Sequence, residues 1–355
     1  MAPRDEPDLT DTIPEAIPHG IDAGSLACLR DLESNVRWLS SWTIHHANHI
    51  RDKKDGLKVG GHQASCASAI TMMTALYFHA LRSEDRVAVK PHASPVFHAI
   101  QYLFGNQTRE QLENFRALGG AQSYPSRTKD ADDVDFSTGS VGLGPAMALF
   151  SSMAQDYLRR HHEDVRAKDA GRMIAVIGDA EMDEGNVYEA LWEGWKHDLR
   201  NCWWIVDYNR QSLDGVVSDH LFRLIDRVFR TTGWRVLTIK YGKRMREAFA
   251  KPGGKKLKKW INDCPNEMYS ALTFQGGAAW RTHILADIGT DAEAAALIEE
   301  HSDDALQGLM TNLGGHCLET MLEAFATASQ DDTPTCFLAY TVKGWGLPLQ
   351  GHKDN

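Results

Sequence analysis

The stretch from Ile174 to Gly215, IAVIGDAEMDEGNVYEALWEGWKHDLRNCWWIVDYNRQSLDG, decides the fold. Arg172–Ile177 and Cys202–Val206 are apolar on both faces, as strands buried inside a parallel sheet are. Between them Glu184–His197 reads as a helix, long enough to carry the chain from one parallel strand to the next. Gly178-Asp179 closes the first strand, and Asn209 follows the second, 30 residues after Asp179. In a doubly wound sheet both positions lie at the carboxyl edge, where ligands bind. An Asp carboxylate, an Asn amide oxygen and a nearby backbone carbonyl are hard oxygen donors. They suit Mg²⁺, which completes its octahedron from phosphate and water.

Working outward, Asp85–Lys90 (DRVAVK), Trp234–Lys240 (WRVLTIK) and Thr335–Tyr340 (TCFLAY) read as further strands. Helical spacing predicts helices over Ser25–Ile50, Ser94–Phe104, Thr108–Leu118, Val141–Arg160 and Leu318–Ala328, with Thr108 and Gln111 forming a capping box. The expected fold is α/β: a doubly wound, mostly parallel sheet with helices on both faces. Residues 1–24, with four prolines and many acids, read as a flexible tail, and 25–355 as one domain. Residues 243–259 hold eight basic residues and one acid, expected as a solvated helical pair around Pro252–Gly254. Asp130, Asp132, Asp133 and Asp135 are expected to form a merely solvated acidic loop. Trp203 and Trp204 belong to the core.

Composition sets limits. The chain has 355 residues, 43% hydrophobic and 24% charged, and a net charge of −10. Such a balance excludes general nucleic-acid or anionic-membrane binding. No apolar run reaches the length of a membrane helix. Six cysteines without a CxxC pattern suit a reducing, cytoplasmic setting. The HHANH run (His45, His46, His49) reads as helix surface, since no carboxylate accompanies it. Gly142–Met147 imitates a dinucleotide fingerprint but lacks its third glycine and follows no strand, which excludes NAD.

The wording GDxEMDEGN…NxQxLDG resembles the thiamine diphosphate (ThDP) motif of transketolases and of homodimeric-type pyruvate dehydrogenase E1 components, in their N-terminal, diphosphate-binding half. That resemblance implies Mg²⁺ held by the side chains of Asp179 and Asn209 and the carbonyl of Gln211. It implies cofactor contacts from Gly178, Asp179, Ala180, Glu181 and Asn209, and from Tyr124. Where the motif's third residue is usually Gly, this chain has Ala180, a source of strain if that position needs a positive φ. Gly60–Ser65 (GGHQAS), Lys90–Pro95 (KPHASP) and Ser140–Pro145 (SVGLGP) resemble further family segments. The last supplies Gly142, Leu143 and Gly144 as cofactor contacts. Thr341–Gly346 (TVKGWG) with Gly351-His352 resembles the transketolase segment that presents a histidine to substrate. His62, His92 and His352 are thus the expected catalytic groups, since imidazoles exchange protons near neutral pH.

Two reactions fit the resemblance. Glu184-Gly185-Asn186 and the GHKDN ending favour ketol transfer between sugar phosphates. The wording of 174–215 supports the alternative, E1-type decarboxylation of a 2-oxo acid. Against that alternative stand the short stretch before the first helix and Tyr124-Pro125-Ser126-Arg127 in place of the family's Tyr-Pro-His-Pro. A third reading is a non-catalytic regulatory subunit, which intact Asp179 and Asn209 oppose. In the family the acid that activates the aminopyrimidine comes from a pyrimidine-binding domain. The chain is therefore expected to need a pyrimidine-domain subunit and to self-associate as a dimer of split protomers.

Overall fold

The structure, a computed structural model, describes residues 20–52, 56–166, 168–211 and 221–352. Most of the expected tail (1–19), the Ser212–Gly215 end of the quoted stretch and Lys353–Asn355 lie outside the described residues. The sheet comprises β1 (Arg86–Ala88), β2 (Met173–Gly178), β3 (Cys202–Tyr208), β4 (Arg235–Ile239) and β5 (Thr335–Tyr340). Its order is β1-β2-β3-β5-β4 and every pairing is parallel. All five strand carboxyl ends therefore open on one edge.

Both faces are covered, which is why the strands show no polar alternation. Ile174, Val176, Trp203 and Ile205 pack under α1 (Ala23–His45), α2 (Gln63–Ala75), α3 (Ser94–Leu103) and, late in the chain, Leu318–Ala328. Their neighbours Ala175, Ile177, Trp204 and Val206 pack on the opposite face. There they meet α5 (Leu143–His161), α7 (Gly185–Lys196), α8 (Leu221–Thr231) and a helical insert between β4 and β5. That insert runs as α9 (Lys243–Phe249), α10 (Gly254–Asp263), α11 (Asn266–Gln275), α12 (Gly277–Ile288), α13 (Ala292–Glu299) and α14 (Asp303–Met310), before α15 (Leu318–Ala328). Two short helices, α4 (Arg109–Glu113) and α6 (Glu163–Arg166), complete the described α-helices, and π-helical turns at His46–Ile50 and Leu76–Ala80 extend α1 and α2. None of these helices is long and apolar enough to cross a membrane. None of the six cysteines forms a disulfide.

Several expectations need correction. The helix expected over Thr108–Leu118 ends at Glu113, although both bonds of its Thr108–Gln111 capping box form. Arg116 adopts φ +61° and its N–H donates to Ala121 O, which turns the chain back toward the sheet. Helix α2 escapes a periodicity reading because nearly every residue from Ala64 to Ala75 is buried, so it has no polar face. The acidic run is not a solvated loop. Asp130 accepts from the N–H groups of Gln122 and Ser126, Asp132 is buried against His98 and Gln107, and Asp135 accepts from Val87 N–H. The basic run does form the expected solvated pair, α9 and α10. Its charges reach outward to Glu323, Glu300, Asp291 and Asp263 while Met245, Leu257, Trp260 and Ile261 are buried.

The carboxyl edge is clamped at one point. Asp207, wholly buried near the end of β3, accepts from Lys90 Nζ at 2.6 Å and Ser68 Oγ at 2.6 Å, and from Thr341 Oγ1. These partners stand after β1, in α2 and after β5. Burial opposes both charges, yet mutual attraction and the two hydroxyl bonds hold Lys90 above and Asp207 below their ordinary ranges. Asp207→Ala, which strands a buried ammonium, is expected to cost about 3–5 kcal/mol in urea unfolding. The Lys90→Met/Asp207→Leu double variant is expected to recover a large share of that loss.

Candidate functional site

A cavity of about 220 Å³ lies over the exits of β1, β2 and β3, lined by Lys90, Asp179, Asn209, Gln211 and Lys343 together with Ser65, His92 and Ser140. Asp179, the residue after β2, is buried. Its Oδ2 accepts from Arg210 N–H at 2.8 Å and its Oδ1 from Ala180 N–H at 3.0 Å. Asn209 Oδ1 accepts from Gln211 N–H at 3.0 Å. Arg210 takes φ +64°, a backbone turn that aims its N–H at Asp179 while its guanidinium stacks over Tyr269 at 4.3 Å. Asp179, Asn209 and Gln211 thus share one wall, with the Asp179 and Asn209 side chains oriented by backbone N–H groups. Burial, then the charge of Asp207, push the Asp179 carboxyl up to about 7 against the pull of Lys90. A buried acid so placed is stabilised by a cation.

The expected glycine turn reaches the same cavity through Ser140, while Gly142, Leu143 and Gly144 lie outside its lining. Gly142 caps α5 with φ +69°, and a Cβ there would lie 2.6 Å from Asn186 Oδ1 and 2.9 Å from Val187 Cγ2, so no side chain fits. Gly144 is buried against Ala88 and Thr138, whereas Leu143 faces solvent. Glu181, buried, accepts from Gly178 N–H at 3.0 Å and also bonds the Gly142 backbone. Ala180 lies in a 3₁₀ turn (Asp179–Asp183) and is not among the residues with positive φ, so replacing glycine there brings no strain.

His62 and His92 stack with ring centroids 4.1 Å apart, and the Tyr124 ring is 6.5 Å beyond His92. His352 is not part of this group. Its ring sits 4.5 Å from that of Phe274, outside the cavity lining. Burial, then the neighbouring His62, hold His92 down at about 4. Burial, then Arg116, lower His62 as well. Both imidazoles are therefore neutral near pH 7, with a lone pair each to offer.

Three charged groups escaped the sequence reading: Lys90, Asp207 and Lys343. Their signal was present, since Asp207 is the one charge in the run CWWIVDY and Lys90 ends a strand directly before the His92 loop. A second Gly-Gly-His, Gly314–His316, was also passed over. His316 Nε2 accepts from Val342 N–H at 2.7 Å, and its ring lies flat on Trp345 at 4.3 Å. This fixes the turn that carries Lys343.

The family described as transketolase, thiamine diphosphate binding domain, matches residues 61–252, more than half of the chain. The chain belongs to this family. Pyruvate dehydrogenase E1 components are similar: that of Escherichia coli K12 is 30% identical over 336 residues, covering 91% of this chain and 36% of the relative. That of Cupriavidus necator is 31% identical over 341 residues, covering 92% and 37%. The chain thus spans a little over a third of these relatives. Among solved structures, Campylobacter jejuni transketolase superposes with TM-score 0.62 at 20% identity, covering 92% of this chain and 40% of that one. Leishmania mexicana transketolase gives 0.63 at 17%, covering 91% and 38%. At these identities the structures confirm the α/β fold of the family.

His316 makes stability depend on pH. Burial holds it at about 3, whereas an unfolded histidine protonates near pH 6.5. Between these values the unfolded chain binds the extra proton, so stability falls on acidification, by up to about 1.4 kcal/mol per pH unit from this group. Urea unfolding from pH 7 to 5 is expected to show this loss, with a shallower slope in His316→Gln.

Proposed function

We propose that this chain is the diphosphate- and cation-binding half of a ThDP-dependent enzyme acting on a 2-oxo acid. The observation that carries the reading is the wall of Asp179, Asn209 and Gln211 lining one cavity with Gly178, Glu181 and Ser140, the residue that opens the glycine turn. The residues present fit the cofactor. A buried carboxyl pushed up to about 7 calls for a cation, and the side-chain oxygens of Asp179 and Asn209 are pre-oriented by N–H groups. Asp179 and Asn209 by side chain and Gln211 by carbonyl would hold Mg²⁺. The Gly142–Gly144 turn and the Gly178–Glu181 segment would hold the diphosphate.

When bound, ThDP supplies a carbon nucleophile and a sink for the electrons left when the bond beside a carbonyl breaks. The chain's own part is orientation and proton handling. The neutral His62–His92 pair accepts a proton without first losing one. Lys343 adds positive charge on the same cavity, whereas the charge of Lys90 is matched by Asp207. Tyr124 stands beyond the pair.

Decarboxylation of a 2-oxo acid stands before ketol transfer, reversing the order the GHKDN ending suggested. The relatives at 30–31% identity carry the E1 name, while transketolases are similar in fold at 17–20%. Ketol transfer remains the second reading, since both reactions use the same diphosphate site. A regulatory subunit without catalysis does not explain an intact donor wall. The aminopyrimidine-activating acid would come from a pyrimidine-binding domain, in an assembly containing two copies of each half.

Asp179→Ala is expected to abolish Mg²⁺-dependent ThDP binding in calorimetry; unchanged affinity would sink the assignment. With the pyrimidine-domain partner supplied, His92→Ala is expected to lower turnover by about 10²–10⁴ with cofactor binding kept. Pyruvate and a ketose phosphate, assayed side by side, separate the two reactions.

A further inference from the structure

We propose that His98, Asp130 and Asp132 form a second cation site, separate from the cofactor cavity, for a divalent transition metal that fastens the 120–135 loop to α3. The His98 ring is fully buried, and Nε2 faces the carbonyl oxygen of Gln122 at 2.9 Å. A carbonyl only accepts, so Nε2 carries the hydrogen. Nδ1 then aims its lone pair at Asp132 Oδ2, 2.7 Å away. Two lone pairs at that distance need a positive species between them, a proton or a metal ion.

Two further features favour the metal. Asp132 is 7% exposed and its Oδ1 is buried without a hydrogen-bond partner, although Gln107 Nε2 donates to Oδ2 at 2.9 Å. Asp130 has each oxygen fixed by a backbone N–H, Gln122 at 2.8 Å and Ser126 at 2.7 Å. A histidine tethered through its other nitrogen to a carbonyl, beside carboxylates held by N–H donors, is how metal-binding residues are supported. One donor atom from each residue lies within 4.8 Å of the others. Bonds of about 2.0–2.2 Å place donors on one cation roughly 3–4 Å apart, so a small side-chain movement closes the set.

The donor set names the class. One imidazole with two carboxylates suits Zn²⁺, Co²⁺ or Mn²⁺, whereas Mg²⁺ and Ca²⁺ favour all-oxygen sites. A neutral imidazole and two carboxylates also balance a dication. Without the metal, a proton shared by Nδ1 and Asp132 fills the gap; the incoming cation releases it to solvent. The cross-link would stiffen the loop bearing Tyr124, which flanks His92.

The test uses the full chain, stripped with chelator and titrated with Co²⁺ and Zn²⁺. One Co²⁺ per chain with visible absorption is expected for wild type and for Asp179→Ala, so this site is read apart from the cofactor cavity. Affinity is expected to fall at least about tenfold in His98→Asn and in Asp130→Asn. Folded variants that bind as wild type does overturn the proposal. Should the variants not fold, the His98 ring nitrogen resonances of wild type decide. A shift of Nδ1 at one equivalent of Zn²⁺ supports the site, and resonances unmoved by saturating Zn²⁺ refute it.

Discussion

The salt bridge between Lys90 and Asp207 governs the carboxyl edge of this sheet. Neither charge would survive burial alone. Together, with Ser68 and Thr341 closing the remaining bonds of the carboxylate, they tie β1, α2, β3 and β5 at the level where the strands end. Asp179, Asn209 and the Thr341–Trp345 turn all leave the sheet from this clamp. Their relative positions are therefore set by buried electrostatics beneath the cavity and not by the loops above it.

The same clamp shapes the chemistry of the cavity. Asp207 adds negative charge near Asp179 and helps raise its proton affinity, while Lys90 opposes it. Burial, with a smaller contribution from Lys90, depresses His62, His92 and Lys343. The cavity thus holds acids that favour a cation beside imidazoles that stay neutral. Two opposite tendencies coexist in one small volume because burial removes the solvent that would screen them.

Around this centre, rigidity comes from backbone conformations only certain residues allow. Gly142 at positive φ lets α5 begin against Asn186 and Val187, and Arg210 in the same region points its N–H at Asp179. His316, stacked on Trp345 with Arg37 on the ring's other contact at 4.2 Å, holds the turn bearing Lys343. His98 and its aspartates hold the loop bearing Tyr124.

The parallel sheet was legible in the amino-acid sequence, because strands buried on both faces lose their alternation, and Arg172–Ile177 and Cys202–Val206 display that loss. The placement of Asp179 and Asn209 side by side was legible too, since they follow adjacent strands at a spacing that one crossover helix fills. Local chemistry sufficed there, as it did for the Thr108 cap and the solvated α9–α10 pair. Which distant charges meet became visible only in the folded chain. Lys90 finds Asp207 across 117 residues, and Asp132 finds His98 across 34, because ion pairing in a low-dielectric interior acts through space and leaves no periodic trace. The fold also decided the fate of the histidines: His62 and His92 stack, and His352 turns to Phe274. Their motifs look alike in sequence, but the folding of α2, α3 and the helical insert places them in different surroundings.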